Sequence, residues 1–197
     1  VENFGPIGKA HVVFGDLTIL VGAQASGKSL FLELLKLLED KDAIVETLRK
    51  YNYIISKSNV SYLLEAYFGN GMAGVWGENT KIVYDGREAS AVISLVKNKV
   101  KEAEEKVFYI PAQRVFSISD GRPKAFSEFD PTAPYVLRQF SEILRVFMSI
   151  GLGGNTTLFP VKTRLKSAQK RSFDSSIFHG GRVELENENG QRKMRMK

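Results

Sequence analysis

The residues best suited to chemistry sit near the start of the chain. Gly22-Ala23-Gln24-Ala25-Ser26-Gly27-Lys28-Ser29 fits G-x-x-x-x-G-K-[ST], the pattern of a phosphate-binding loop. Backbone N–H groups must point inward around phosphate oxygens, so Gly22 and Gly27 stand where a Cβ would obstruct. Lys28 supplies a mobile positive charge for β- and γ-phosphates, and Ser29 a hydroxyl for Mg²⁺. A helix that follows aims its N-terminal N–H groups and positive dipole end at the same anion.

The pattern needs a strand before it and a helix after it. Leu17-Thr18-Ile19-Leu20-Val21 is a short apolar run, expected to be a strand buried on both faces. Leu30 to Leu38 is apolar apart from Glu33 and Lys36. Ser29, Glu33, Lys36 and Asp40 fall at helical spacing and give that helix one narrow polar stripe. Ala10 to Phe14 reads as a further strand, and the Gly15-Asp16 turn makes it an antiparallel neighbour of 17–21.

The chain has 197 residues, enough for one domain with a sizeable core. It carries no cysteine, which removes disulfides and thiolate sites and suits a reducing compartment. No apolar run has the length of a membrane span, and Val1-Glu2-Asn3-Phe4 lacks the make-up of a signal peptide. A cytoplasmic protein without membrane contact is expected. A net charge of +6 permits contact with nucleic acid without demanding it.

Farther along, Asp42 is expected to cap a second helix with Ile44, Val45, Leu48 and Tyr51 on its apolar face, and Val60, Leu63, Leu64 and Tyr67 outline a third. Those aromatics read as core. Asp85-Gly86 marks a hairpin between 81–84 and 89–96. The turn accounts for Asp85 fully, although an aspartate on the Mg²⁺ side is the alternative. Lys97 to Lys106 reads as a solvated helix or linker, and Val107 to Ile110 as a strand running into Gln113. Residues 111–134 hold four prolines and form an irregular connector. Pro134 opens a long helix with Val136, Leu137, Phe140, Ile143, Leu144, Phe147 and Met148 on one face, ended by Gly151, Gly153 and Gly154. The basic run 162–171 is a solvated face or a surface for nucleic acid or a protein partner. His11 reads as an ordinary strand residue and His179 as a loop residue. Residues 183–186 and 193–196 flank Asn187-Glu188-Asn189-Gly190 in a second hairpin.

Asn3-Phe4-Gly5-Pro6, a strand, Gly15-Asp16-Leu17-Thr18 and then the phosphate loop resemble the N-terminal half of ABC-type ATPase heads. The nearest groups are the RecF and SMC ATPases and the overcoming-lysogenisation-defect-like, AAA-family ATPases. Their loop commonly reads G-x-N-G-S-G-K-S; here Gln24 and Ala25 replace Asn and Gly. The resemblance implies an α/β P-loop NTPase with an ABC-ATPase-like mixed sheet, an antiparallel β portion and a helical subdomain. Residues 1–115 would be the nucleotide-binding lobe, 116–133 the connector, 134–180 the helical subdomain and 181–197 a hairpin leading onward. It implies ATP and Mg²⁺ as ligands, with Gln113 as the Q-loop glutamine beside Ser29 on the metal.

The family's L-S-x-G-Q signature, its Walker B run ending in Asp-Glu and its switch histidine are missing from the sequence. The expectation is therefore the N-terminal part of a longer protein, without catalytic residues of its own. Hydrolysis of ATP is expected only in the intact homodimer, where the partner supplies the signature motif. A P-loop kinase with Asp85 on the metal and a nucleotide-regulated binding module are the rival readings. No N-K-x-D motif for guanine is present. The cellular role (repair, recombination or phage defence) and the process the ATP cycle drives are open at this level.

Overall fold

The computed structural model describes residues 1–88, 103–150 and 183–196. The chain divides into two compact units, one of residues 1–110 with 130–136, the other of 111–129 with 137–197.

The first unit begins with β1 (Glu2–Phe4) and β2 (Ile7–Lys9), antiparallel, with Phe4 opposite Ile7. Strand β3 (Trp76–Lys81) pairs with the other edge of β1, giving the order β2-β1-β3. Phe4 is fully buried, edge-on to Phe68 at 5.7 Å and to Trp76 at 6.0 Å between ring centroids. Helix α1 (Lys28–Lys50) and α2 (Val60–Phe68) supply most of the remaining core through Leu34, Leu37, Ile44, Val45, Leu48, Leu63, Leu64 and Tyr67. Of the aromatics of α2, Tyr67 and Phe68 are core, whereas Tyr62 is only half-buried and stacks on Tyr53. Strands β4 (Val83–Tyr84) and β5 (Arg87–Glu88) enclose Asp85 and Gly86, both with positive φ, which is the turn that Asp-Gly favours. Residues 89–96, the expected continuation of that hairpin, lie outside the described residues.

Several expectations for this unit need correction. The second helix expected from Asp42 is formed, but it is joined end to end with the first: α1 is two helical stretches meeting at a kink at Asp40 (φ −109°, ψ 15°), and Asp42 lies inside the second stretch rather than capping it. The apolar stripe carries straight through the kink, so no new cap is required. Residues 10–14, 17–21 and 107–110 run without joining any ladder, so the strand expected at 107–110 and the antiparallel pair expected between 10–14 and 17–21 are not formed. Leu17, Ile19 and Val21 are 81%, 71% and 86% exposed, so the run is not buried on both faces. An alternating or continuous apolar run reports what a segment can pair with, while a strand also needs a neighbour to take its N–H and C=O groups. Finally, Glu105 is not a solvated linker residue; its side chain is only 14% exposed.

Among the described residues, the second unit holds two 3₁₀ turns, Arg114–Ser117 and Phe126–Glu128, and the short ladder β6 (Ile118–Ser119) and β7 (Arg122–Pro123) about Asp120-Gly121. The irregular connector therefore contains a tight hairpin with the same Asp-Gly chemistry. Helix α3 (Tyr135–Ile150) follows Pro134; its first two residues belong to the first unit. Ser141 Oγ reaches the carbonyls of Ser117 (3.0 Å) and Lys124 (2.6 Å), sharing one proton between them. Buried Arg138 lies over the Phe126 ring, 4.5 Å from its centroid. Strands β8 (Val183–Glu188) and β9 (Gln191–Met196) pair about Asn189-Gly190, the expected hairpin with longer arms. The helix stop at Gly151–Gly154, the basic run 162–171 and His179 lie outside the described residues.

Candidate phosphate-binding site

Residues 22–27 form the loop, and α1 starts at Lys28. The chain enters the helix through Gly27 at φ 89° and ψ 9°, a left-handed conformation that glycine adopts without penalty. Gly27 is also closely packed. A Cβ there would lie 2.6 Å from Ile7 Cγ1 and 3.3 Å from Pro6 Cγ. The β1–β2 turn thus presses on the loop, and Gly5 of the same turn approaches Leu30 in the first turn of α1. This is the local reason the first hairpin matters to the site: it fixes where the helix begins.

The N-terminus of α1 has no side-chain cap and no acidic residue in its first turn. Its N–H groups and positive dipole end are left to an external acceptor. Lys28 folds back along the loop. Its Nζ donates to the carbonyls of Gly22 (2.9 Å) and Ala23 (2.5 Å) and to Ser26 Oγ (3.2 Å). The ammonium has three N–H bonds, and each has an acceptor within the loop. Ser29 is exposed at the following position. The expected loop residues Gly22, Ala23, Gln24, Ala25, Ser26, Gly27, Lys28 and Ser29 are thus together at one helix end. Beside them lies a cavity of about 440 Å³, walled by Ile7, Val12, Ile19 and Phe31 and reaching Lys28.

The polar stripe of α1 has a partner that sequence reading did not provide. Lys36, with a side chain 2% exposed, donates to Asp40 Oδ2 (3.0 Å), Glu105 Oε2 (2.6 Å) and the Val107 carbonyl (2.7 Å). Asp40 accepts the N–H groups of Lys106 (2.8 Å) and Val107 (3.0 Å). Tyr135 donates its hydroxyl to Glu105. One turn nearer the loop, the Tyr109 hydroxyl stands 3.5 Å from Glu33 Oε1, and the Tyr67 hydroxyl donates to the Glu33 carbonyl (2.8 Å). Burial pushes the Glu33 carboxyl up to about 7, against a smaller opposing pull from Tyr109. Burial first, then neighbouring acids, raise the hydroxyls of Tyr67, Tyr109 and Tyr135. The signal for this cluster was legible as a polar stripe on an otherwise apolar helix; the identity of the segment it grips was not.

Gln113 is exposed and precedes the 3₁₀ turn Arg114–Ser117, its carbonyl accepting the Phe116 N–H at 2.9 Å. It belongs to the second unit and Ser29 to the first. Asp85 occupies the β4–β5 turn. Among the described residues no group of three or more His, Cys, Asp or Glu side chains is arranged to hold a metal, and no helix is long and apolar enough to cross a membrane. Comparison with protein-family models, curated proteins and solved structures finds no match to the chain.

Proposed function

We propose that this chain is the nucleotide-holding N-terminal portion of an ABC-type ATPase, binding ATP with Mg²⁺ through Gly22–Ser29 and working in the cytoplasm. The observation that carries the reading is the loop ring closed by Lys28 on the uncapped, acid-free N-terminus of α1. That end offers backbone N–H donors and a positive dipole, and Lys28 adds a full charge, a donor set suited to a polyphosphate. The apolar wall of Ile7, Val12, Ile19 and Phe31 beside the loop suits the less polar part of a nucleotide.

When bound, Mg²⁺ neutralises charge developing on the β- and γ-phosphates. Within the chain, Ser29 would present its hydroxyl to the metal. The segment from Glu105 to Tyr109 runs along α1 from Asp40 towards Glu33, that is, towards the loop end of the helix. Turnover is assigned to the intact homodimer, because the signature and Walker B residues are not in this sequence. Contact of the basic run 162–171 with nucleic acid or a protein partner belongs to the same proposal.

The test is titration of the chain with a fluorescent ATP analogue, with Mg²⁺ and with chelator, alongside phosphate release. Binding strengthened by Mg²⁺, with negligible release, is expected. No binding at millimolar nucleotide would overturn the reading.

A further inference from the structure

The buried cluster of Lys36, Asp40 and Glu105 has no part in holding phosphate, yet it sits on the helix whose first turn forms the cradle. We infer that it is a positioning clamp through which nucleotide held at the N-terminus of α1 orders the segment 105–110, an inference that rests on the proposed nucleotide site.

Three successive turns of α1 grip that segment. Asp40 takes two consecutive backbone N–H groups, from Lys106 and Val107. Consecutive N–H groups in a regular strand point to opposite sides, so this carboxylate holds the backbone in a local nest. Lys36 binds both the Glu105 side chain and the Val107 carbonyl. Glu33, one turn from Ser29, faces Tyr109. Lys36 uses all three of its N–H bonds here, so the clamp is fully satisfied on its cationic side. No ladder holds 103–110, so within the described residues its ordering depends on these side chains rather than on neighbouring strands. The alternation is clear: Glu105, Val107 and Tyr109 are partly covered, and Lys106, Phe108 and Ile110 are exposed. A ligand that rigidifies α1 therefore rigidifies what α1 grips, and the segment leads by chain to Gln113.

Hydrogen exchange of the full chain tests this, with and without Mg²⁺ and a slowly hydrolysed ATP analogue. In the parent protein, nucleotide should slow exchange of 105–110 at least fivefold as well as that of 22–30. In Asp40→Asn, which removes the paired acceptor while leaving the loop intact, nucleotide should bind within threefold of the parent affinity. The slowing should then be confined to 22–30. Glu105→Gln is the second variant, should Asp40→Asn fail to fold. A merely structural clamp would lower protection of 105–110 equally with and without nucleotide, and would not remove the difference between them. Nucleotide binding to the parent with unchanged exchange at 105–110 would overturn the inference, as would a variant that keeps the full response. Absence of nucleotide binding by the parent, seen in the titration itself, would overturn the site reading together with the clamp.

Discussion

Lys28 Nζ donates to the Gly22 carbonyl across the loop at 2.9 Å, joining the end of the phosphate-loop sequence to its beginning. The same ammonium meets Ala23 O and Ser26 Oγ, and the Ser26 bond is the longest of the three. The Ser26 contact is therefore the one most readily exchanged for a phosphate oxygen. Lys28→Ala removes both the ring closure and the charge. Hydrogen bonds from a charged group contribute about 1.5–3 kcal/mol each, so nucleotide affinity should fall by roughly tenfold to a hundredfold or more. A titration at fixed salt checks this, and an unchanged affinity would remove Lys28 from the site.

Gly27 is constrained twice over, by its left-handed φ and by Ile7. Gly27→Ala should cost about 1–2 kcal/mol for the backbone conformation alone, with the clash against Ile7 added to it. Ile7→Ala in the same chain should relieve the clash and leave the backbone cost. The measurement is the urea midpoint of both variants. Full recovery in the double variant would show that φ at this position is free to change.

Glu33 links stability to pH. Its folded carboxyl titrates near 7, above the value of 4.5 for an unburied group. The folded state therefore binds the proton more tightly than the unfolded state, and stability falls as pH rises from about 4.5 to 7. The full penalty above that window is about 3 kcal/mol. Glu33→Gln keeps a side-chain acceptor near Tyr109 and removes the titration. It should be more stable than the parent at pH 8 and closely matched at pH 4.5. Thermal midpoints at the two pH values decide it; equal midpoints for parent and variant at pH 8 would mean the carboxyl is not disfavoured by burial.

These relationships were legible in the sequence to different depths. The loop, the start of α1, α2, α3 and the Asp85-Gly86 and Asn189-Gly190 turns follow from local rules, because capping, glycine φ and helical spacing act within a few residues. The Asp120-Gly121 hairpin carried the same signal inside a proline-rich stretch, where the breakers masked it. Residues 10–21 and 107–110 carry apolar runs yet form no ladder, because pairing is not a local property. The Lys36 clamp was half legible: the stripe Glu33, Lys36, Asp40 was visible, but its partner lies about seventy residues away in sequence, at Glu105 to Tyr109. Only three-dimensional structure supplies that pairing.

The outward side chains of 17–21 and 107–110 set a solution property. Leu17, Ile19, Val21, Phe108 and Ile110 are all more than half exposed. Rows of exposed apolar side chains on extended backbone outside any ladder promote association. The chain should self-associate with rising concentration, and Leu17→Lys with Phe108→Lys should suppress this. Both side chains are more than half exposed and lie outside residues 22–29, so nucleotide affinity should stay within about twofold of the parent. Sedimentation velocity over a concentration series reads the first effect. A parent chain that remains monomeric throughout would show that these rows are covered in solution.

Asp85 separates the proposed nucleotide half-site from a kinase. In a kinase with Asp85 on the metal, its carboxylate is required for the Mg²⁺-dependent part of nucleotide binding and for phosphoryl transfer. In the structure Asp85 is the first residue of a two-residue turn, at φ 49°, followed by Gly86 at φ 70° between the Tyr84–Arg87 pair. A short polar side chain tolerates that conformation better than alanine does. Asp85→Ala should therefore cost about 1 kcal/mol of local stability and leave the gain in affinity from Mg²⁺ unchanged. Asp85→Asn, which retains the turn preference while removing the charge, should match the parent in both respects. Loss of the Mg²⁺ effect in Asp85→Asn would assign the metal to this aspartate and favour phosphotransfer over the ATPase half-site.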